Sequence, residues 1–325
     1  MKAAIVIAAG KTPVYGDFDK PIAQAGEELI TVRASALSQF TKSRASGAHY
    51  SSDGAFPTVA GSDGVGVTQD GRRVYFVLPK APFGSLAEFC PIRSEQYVEL
   101  PDSLDDITAA AIANPGMSAW AALVERARLV AGETVLVNGA TGTAGRLAVQ
   151  LAKYMGAAKV IATGRNVAEL EEVKRLGADV VIPFSLDAQH ASGAKEYEDA
   201  LKQVFARGIN IVIDYLWGES AKTIIVAIAK SVEDATPVRF VHVGGASREE
   251  NIELPGAALR SSAIVLMGSG IKSVSLAAFL KAIKSVFAAV QPAGLKIATK
   301  VVPLSEVEAI WKSSVGKPRV VISIP

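Results

Sequence analysis

The sequence is poor in several residue types, and each shortage narrows what the protein can be. Its 325 residues include one cysteine, Cys90, which excludes an intrachain disulfide framework and any zinc site built from several thiolates. Cys90 lies in the β-rich segment "SLAEFCPI", so we expect a buried structural thiol. Lysine and arginine number 34 against 32 aspartates and glutamates, a formal net charge of +2. This near balance gives no reason to expect a nucleic-acid or anionic-membrane partner.

Long uninterrupted apolar runs are also missing. The longest apolar-rich region, around residues 107–124, is broken by Asn114, Pro115 and Gly116, so we expect no transmembrane helix and no membrane partner. The first ten residues, "MKAAIVIAAG", carry one basic residue and too short an apolar run for a signal peptide. We therefore expect a cytoplasmic protein.

Histidines and hydrolase motifs are scarce. There are three histidines, and neither a GxSxG nor an HExxH motif is present, so hydrolase chemistry has no support in the sequence. His242 lies in the apolar run "RFVHVGG", which favours a core or hydrogen-bonded histidine over a catalytic base. His49 and His190 fall in loop-like segments and are expected to be solvated.

The residue pattern divides the chain into two parts. In residues 1–115, short segments with the pattern of β-strands are separated by glycine, proline and aspartate, which indicates a β-rich domain. Beyond residue 116, strands and helices alternate, and this predicts a doubly wound parallel α/β sheet. The tail adds two further strands, which need a β partner. The predicted domains are therefore 1–115 together with 270–325, and 116–269.

Six short apolar strands are predicted for the second domain. They cover residues 134–138, 159–163, 179–182, 210–214, 238–243 and 263–267.

A glycine-rich turn follows the first of these strands and precedes a helix. The segment "GATGTAG" matches a dinucleotide-binding fingerprint with Ala140, Gly142 and Gly145 at its small-residue positions. Gly142 would let the backbone approach a pyrophosphate, Gly145 would let the helix pack closely on the strand, and the helix N-terminus would attract the phosphates. The alternative is a turn kept only for packing. The predicted cofactor contacts here are Ala140, Thr141, Gly142, Thr143, Ala144 and Gly145.

The second strand ends in "IATGRN", where an NAD-binding unit usually has an acidic residue for the ribose hydroxyl. Thr163, Gly164, Arg165 and Asn166 contain no carboxylate, and the next one is Glu169. An arginine at this place suits a 2′-phosphate through charge-assisted hydrogen bonds, which predicts NADPH as the cofactor. The alternative is a solvated arginine at a strand end.

Five segments together resemble the medium-chain dehydrogenase/reductase superfamily over nearly the whole chain. They are "AGSDGVGV", "GRRVYF", "GSLAEFCPI", "ELPDSLDDITAAAIANPGMSAWAAL" and "GETVLVNGATGTAG". Within the superfamily, the chain resembles the zinc-independent quinone oxidoreductase branch. This resemblance implies a GroES-like β-rich catalytic domain and a Rossmann domain. The family's zinc-ligand positions fall near Ser38, Ser62 and Asn114, which are poor zinc ligands, so no catalytic metal is expected.

The resemblance also implies where the reaction takes place. Tyr50 follows "RASGAH", a segment that borders the active cleft in the family, and it could donate to an acceptor oxygen or be only a wall of the cleft. Ser38 could hydrogen-bond the acceptor or the ribose, or be an ordinary strand-end serine. Phe184 stands where the family often has a tyrosine near the adenosine phosphate, and it lacks the hydroxyl. The residues implied near the nicotinamide are Ser118, Val243, Gly244, Gly268, Ser269 and Gly270.

The expected function is hydride transfer from NADPH to a quinone or an α,β-unsaturated carbonyl, without zinc. Two alternatives stay open: an NADPH-binding protein without turnover that serves structure, sensing or RNA binding, and an enoyl or alkenal double-bond reductase. Residues 261–270 are predicted to form the edge strand of the Rossmann sheet, and no charge interrupts them. Such an edge predicts a homodimer, unless the loop around residues 247–251 or the tail helix covers it.

Overall fold

The computed structural model describes residues 1–49, 52, 54–187, 190–313 and 317–325, and all elements named below lie within them. These residues form two compact units. The first contains Met1–Asn114, Leu280–Val290 and Ile297–Pro325, and the second contains Pro115–Phe279 and Gln291–Lys296.

The second unit extends beyond residue 269, where the sequence pattern placed its end. Val274 and Phe279 pack in one apolar cluster with Ala121 of the same unit, so residues 270–279 belong to its core. Residues 291–296 join it because Gln150 and Lys296 exchange two hydrogen bonds of 3.2 and 2.8 Å.

The first unit begins with short, mostly antiparallel strands. They are β1 (Lys2–Val6), β2 (Val14–Asp17), β3 (Glu27–Ala36), β4 (Thr58–Val59), β5 (Asp63–Val67), β6 (Arg73–Val77), β7 (Phe89–Arg93) and β8 (Tyr97–Glu99), with helix α1 (Gln39–Ala45) after β3. Gly66 shows why glycines interrupt these strands: a Cβ there would lie 2.5 Å from the carbonyl oxygen of Thr31 on the paired strand β3.

A long helical segment follows. Helix α2 (Asp106–Trp120) continues as a π-helical turn, Ala121–Arg126, and Pro115 lies inside it. Among the described residues, Asp106–Arg126 is long and apolar enough to cross a membrane by length and composition, and 61% of its most apolar window is buried in the protein. A buried core helix meets the same criteria.

The second unit is a doubly wound sheet, which confirms the predicted α/β fold. Its strands are β9 (Thr134–Asn138), β10 (Lys159–Gly164), β11 (Val180–Pro183), β12 (Ile211–Asp214), β13 (Pro237–His242) and β14 (Ala263–Gly268). Its helices are α3 (Thr143–Tyr154), α4 (Val167–Arg175), α5 (Gly193–Phe205), α6 (Gly218–Ser231) and α7 (Gly256–Arg260). All strands are parallel, in the order β11-β10-β9-β12-β13-β14.

Burial explains this architecture. The central strands β9 and β12 are apolar on both faces, as expected for parallel strands covered by helices on each side. Phe205 of α5, Ile224 of α6 and Phe240 of β13 pack in one core cluster. The strand order reverses between β9 and β12, so a ligand crevice is expected at their carboxyl ends.

The tail returns to the first unit, as expected from its need for a β partner. Its elements are α8 (Leu276–Ala289), β15 (Thr299–Pro303), α9 (Val307–Trp311) and β16 (Arg319–Ser323). Strand β16 pairs antiparallel with β3 and parallel with β15. Among the described residues, this sheet has the order β15-β16-β3-β5-β6-β8, with β7 also paired to β3, beside a separate sheet β2-β1-β4.

Candidate dinucleotide site

The turn between β9 and α3 is held by its own backbone and by the neighbouring strand. Gly139 has a φ of +80°, a conformation that favours glycine, and its carbonyl accepts the N–H of Gly142 at 3.2 Å. The N–H of Ala140 donates to the carbonyl of Thr163 at 2.9 Å, which ties the turn to the end of β10.

The two remaining glycines of the turn have different reasons to be glycine. A Cβ at Gly145 would lie 2.7 Å from the Cα of Ala140, so close packing of α3 on the turn requires glycine there. Gly142 is exposed, and a Cβ there would meet only the carbonyl oxygen of Gly139 at 3.5 Å. Because nothing in the described chain requires glycine at 142, the space above it is open to a ligand.

The N-terminus of α3 opens into this space. The N–H groups of Ala144 and Gly145 have no hydrogen-bond partner among the described residues. Unpaired N–H groups and the partial positive charge of a helix N-terminus favour a phosphate. The predicted turn residues 140–145 therefore lie together in a geometry that fits a pyrophosphate.

Arg146 braces this turn, and the sequence analysis did not single it out. Its Nε donates to the carbonyl of Thr141 at 3.1 Å, and its Nη2 is paired with Glu172 of α4 at 2.6 Å. The signal that could have revealed it is an arginine in the first turn of the helix that follows the glycines.

Three of the four residues expected at the end of β10 have a structural role, and two of these lie within the strand. Thr163 is fully buried, and its hydroxyl donates to Oδ1 of Asn138 at 2.7 Å, so its side chain joins β10 to β9 and does not face a ligand. Gly164 is needed for packing, because a Cβ there would lie 2.8 Å from the methyl group of Thr141.

Arg165 and Asn166 leave the sheet together. The side chain of Asn166 caps α4 by accepting the N–H of Glu169 at 3.1 Å. Arg165 is exposed and has no hydrogen bond or ion pair with any residue that the structure describes. A free guanidinium thus stands at the end of β10, next to the strand that carries the turn.

The residues expected near the nicotinamide line up at the carboxyl ends of β12, β13 and β14. The N–H groups of Val243 and Gly244 both donate to the carbonyl of Asp214, at 2.7 and 3.3 Å. The N–H of Ser269 donates to the carbonyl of His242 at 2.8 Å. Gly268 is the register partner of His242, and Gly270 follows Ser269. The structure therefore brings these residues to one edge of the sheet.

Ser118 lies in α2 beside Tyr215, the residue after β12. Burial raises the pKa of the Tyr215 phenol, whose hydroxyl has no hydrogen-bond partner among the described residues, and the Ser118 side chain opposes this shift only in part. Tyr215 is thus a neutral neighbour of the predicted nicotinamide residue Ser118.

A row of polar side chains crosses the same edge, and the sequence analysis missed most of it. Nδ2 of Asn138 donates to Oδ1 of Asp214 at 2.8 Å, and Nδ1 of His242 lies 2.9 Å from Oδ2 of Asp214. With Thr163, this row joins β10, β9, β12 and β13. His242 is thus a hydrogen-bonded histidine, as the apolar run around it indicates.

In the first unit, Ser38 caps a helix. Its Oγ accepts the N–H of Thr41 at 2.8 Å at the start of α1, and only 4% of the residue is exposed. Thr41 Oγ1 lies 2.8 Å from Ser38 Oγ and 2.9 Å from Ser62 Oγ, and Ser62 donates to Asp63 at 3.0 Å. Tyr50, the other expected catalytic residue, lies outside the described residues.

This hydroxyl chain does not fit zinc. Ser38 and Ser62, at the family's ligand positions, offer neither thiolate nor imidazole, and they hydrogen-bond to Thr41 instead. Across the residues that the structure describes, no group of three or more histidine, cysteine, aspartate or glutamate side chains could hold a metal ion.

The doubly wound sheet with its glycine turn has the architecture of a dinucleotide-binding domain, and the chain also contains a β-rich unit. A family model described as zinc-binding dehydrogenase matches residues 144–285. The probable NADPH-dependent quinone reductase tdiC of Emericella nidulans is 28% identical over 283 residues, which cover 77% of each chain. The NADPH-dependent alkenal/one oxidoreductase of Arabidopsis thaliana is 35% identical over 174 residues, which cover 48% of this chain and 45% of the plant protein.

Solved structures share the fold over the full length. A mycobacterial quinone oxidoreductase superposes with a TM-score of 0.83 at 20% identity, with 99% of each chain covered. The chain is thus similar to medium-chain dehydrogenase/reductases of the quinone oxidoreductase-like branch, in fold over its full length and in sequence over residues 144–285.

Proposed function

We propose that this protein is an NADPH-dependent reductase of quinones or α,β-unsaturated carbonyls that works without zinc. The observation that carries this proposal is Arg165, an exposed guanidinium without a partner among the described residues, at the end of β10. A 2′-phosphate is the group that such a charge at this place selects.

The rest of the cofactor has a matching surface. The N–H groups at the start of α3 would bind the pyrophosphate, and the open space at Gly142 would let it approach the backbone. Bound NADPH would supply a hydride from C4 of its nicotinamide. The residues proposed to flank that ring are Ser118, Val243, Gly244, Gly268, Ser269 and Gly270.

The side chains at the family's zinc-ligand positions indicate which class of substrate to propose. Without a Lewis acid, oxidation of an alcohol loses its usual means of stabilising an alkoxide. Reduction of an electron-poor acceptor does not require a Lewis acid. The printed names of the fungal and plant relatives, a quinone reductase and an alkenal/one oxidoreductase, support acceptors of this kind.

The test is an absorbance assay of NADPH oxidation with a panel of quinones, enones, enals, saturated carbonyls and alcohols, with and without a chelator. We expect turnover with quinones or enones that the chelator does not change. If NADPH binds but no acceptor is reduced, the protein belongs to the binding-only alternative. Turnover confined to alcohols or saturated carbonyls and abolished by the chelator would contradict the proposal.

We also propose that the protein is a homodimer joined through β14. This strand is the last in the order of the parallel sheet, and no charged residue lies in Ala263–Gly268. Val265 is 47% and Leu266 is 40% exposed, so the loop around residues 247–251 leaves them uncovered. Exposed apolar edge strands favour pairing with a second copy.

A further inference from the structure

The polar row at the carboxyl edge of the sheet ends in a histidine that faces a pocket. His242 is the last residue of β13, its side chain is 36% exposed, and its Nδ1 lies 2.9 Å from Oδ2 of Asp214. The Asp214 side chain is completely buried. A buried carboxylate therefore holds a histidine that solvent can reach.

The hydrogen bonds of Asp214 decide which nitrogen of His242 carries the proton. Oδ1 of Asp214 accepts from Nδ2 of Asn138 at 2.8 Å and from the N–H of Leu216 at 3.1 Å, and Oδ2 accepts the N–H of Trp217 at 3.1 Å. Each of these partners is a donor, so the carboxylate acts as an acceptor and His242 donates from Nδ1. This arrangement fixes the tautomer and leaves Nε2 for another group.

The pocket lies where ligands bind in sheets of this kind. It is lined by Trp217, His242, Gly245, Arg248, Glu249 and Glu250. The rings of Trp217 and His242 stack with centroids 4.5 Å apart at 44°. Trp217 has a φ of +64°, an unusual conformation for a residue with a side chain, and its N–H is bound to Asp214. Asp214 thus positions both aromatic walls at the carboxyl ends of β12 and β13.

We infer that Nε2 of His242 protonates the reduced acceptor and that Asp214 is its positioning residue. This inference rests on the proposed function. Hydride addition forms a carbon–hydrogen bond on an enone, breaks the carbon–carbon π bond and moves an electron pair to oxygen. His242 acts as the imidazolium, with one proton on Nδ1 held by Asp214 and one on Nε2, and that oxygen takes the Nε2 proton. The neutral imidazole that remains then takes a proton from water through its exposed edge. A quinone likewise accepts one hydride and one proton and becomes a hydroquinone.

Other charged groups surround His242. Glu249 accepts the N–H of Glu219 at 3.0 Å at the start of α6, and Nε of Arg126 donates to the carbonyl of Gly268 on the neighbouring strand at 2.7 Å. The charged residues that line this pocket are Arg248, Glu249 and Glu250, and Asp214 contacts His242 directly. The pH profile of the enzyme reports their combined effect with His242.

The test compares the unmutated enzyme with His242→Gln in an enone assay across about pH 5 to 8, the range where histidines titrate. General acid catalysis contributes on the order of 10²-fold or more, so kcat should fall by about that factor. The decrease of kcat with rising pH should disappear, and the Kd for NADPH should stay unchanged. The loss should also be smaller for quinones with more acidic hydroquinones, because their oxygen needs the proton less.

Two further variants separate this role from damage to the fold. His190→Gln changes an exposed histidine that is paired with Glu196 at 3.0 Å, and it should behave as the unmutated enzyme. Asp214→Asn should lower kcat on the same acceptors with a shifted pH profile, and far-ultraviolet circular dichroism shows whether it is folded.

Each outcome has a separate meaning. An unchanged kcat and pH profile in His242→Gln overturns the inference and leaves the proposed function standing. If only KM rises, His242 binds the acceptor without donating a proton, and the inference is wrong. If the unmutated protein reduces neither quinones nor enones, the proposed function fails and the inference falls with it.

Discussion

Arg165 stands where an acidic side chain would select the unphosphorylated cofactor, and this change of one residue reverses the charge offered to the ribose. Its neighbours Thr163 and Asn166 are engaged in hydrogen bonds within the fold. Cofactor selectivity in this account therefore depends mainly on one guanidinium.

Replacing Arg165 with alanine should weaken NADPH binding by about 1.5–3 kcal/mol, the range for a hydrogen bond to a charged group. NADH binding should stay the same, because it lacks the 2′-phosphate. Arg175→Ala is the matched control, since it removes an equal charge from the last turn of α4. Fluorescence titration measures both cofactors. Equal losses for NADPH and NADH, or an equal loss in the control, would count against the assignment.

Single residues differ in how far the sequence reveals them. Gly142, Gly145 and Arg165 can be predicted because the strand–turn–helix pattern fixes their places. The contact between Asp214 and His242 could not be predicted, because it depends on the register of β12 against β13, which is set by tertiary packing. The helix-capping role of Ser38 could not be predicted either, because it depends on where α1 begins.

In the turn between β9 and α3, one glycine is required for packing and another leaves room for a ligand. Gly145 contacts the backbone of the turn, whereas Gly142 borders open space. Glycine therefore allows close packing at position 145 and leaves space for a ligand at position 142.

Gly145→Ala should lower the free energy of unfolding by about 1–3 kcal/mol, the usual cost of overpacking. Gly142→Ala should melt like the unmutated protein, because its φ of −70° suits alanine, yet it should bind NADPH and NADH more weakly to the same extent. Thermal melts and cofactor titrations of both variants test this contrast. A Gly142→Ala protein with unchanged cofactor affinity would show that the pyrophosphate does not approach there.

Some element boundaries follow the sequence pattern closely. Strand β9 covers Thr134–Asn138 in both the prediction and the structure. Asn114, Pro115 and Gly116 break the apolar run of the sequence, yet α2 continues through all three, because side chains of this helix such as Ala111, Ile112 and Ala113 are buried. Tertiary packing there outweighs local propensity.

The whole molecule combines two units whose boundaries the sequence shows only in part. The unpaired strands of the tail predict that it needs a β partner in the first unit, but they do not predict that β16 pairs with β3. The place of residues 270–279 could not be predicted, because Phe279 packs with Ala121, far away in the sequence.

The proposed dimer depends on the exposed edge of the parallel sheet at β14. Val265→Lys should shift the proposed dimer towards monomer, because a charge on an exposed edge strand opposes pairing with a second copy. Val301→Lys is the control, since Val301 is 50% exposed on β15, at the edge of the other sheet. Light scattering at micromolar concentration should give twice the mass of one chain for the unmutated protein and the control. A monomeric mass for the unmutated protein would rule out the paired edge.

The turn after β9 and the arginine after β10 are proposed to form an NADPH site. Calorimetric titration of the unmutated protein with NADPH and with NADH tests it directly, whatever the acceptor is. We expect NADPH to bind at least about tenfold more tightly than NADH, which corresponds to about 1.4 kcal/mol. Equal affinities, or tighter binding of NADH, would contradict it.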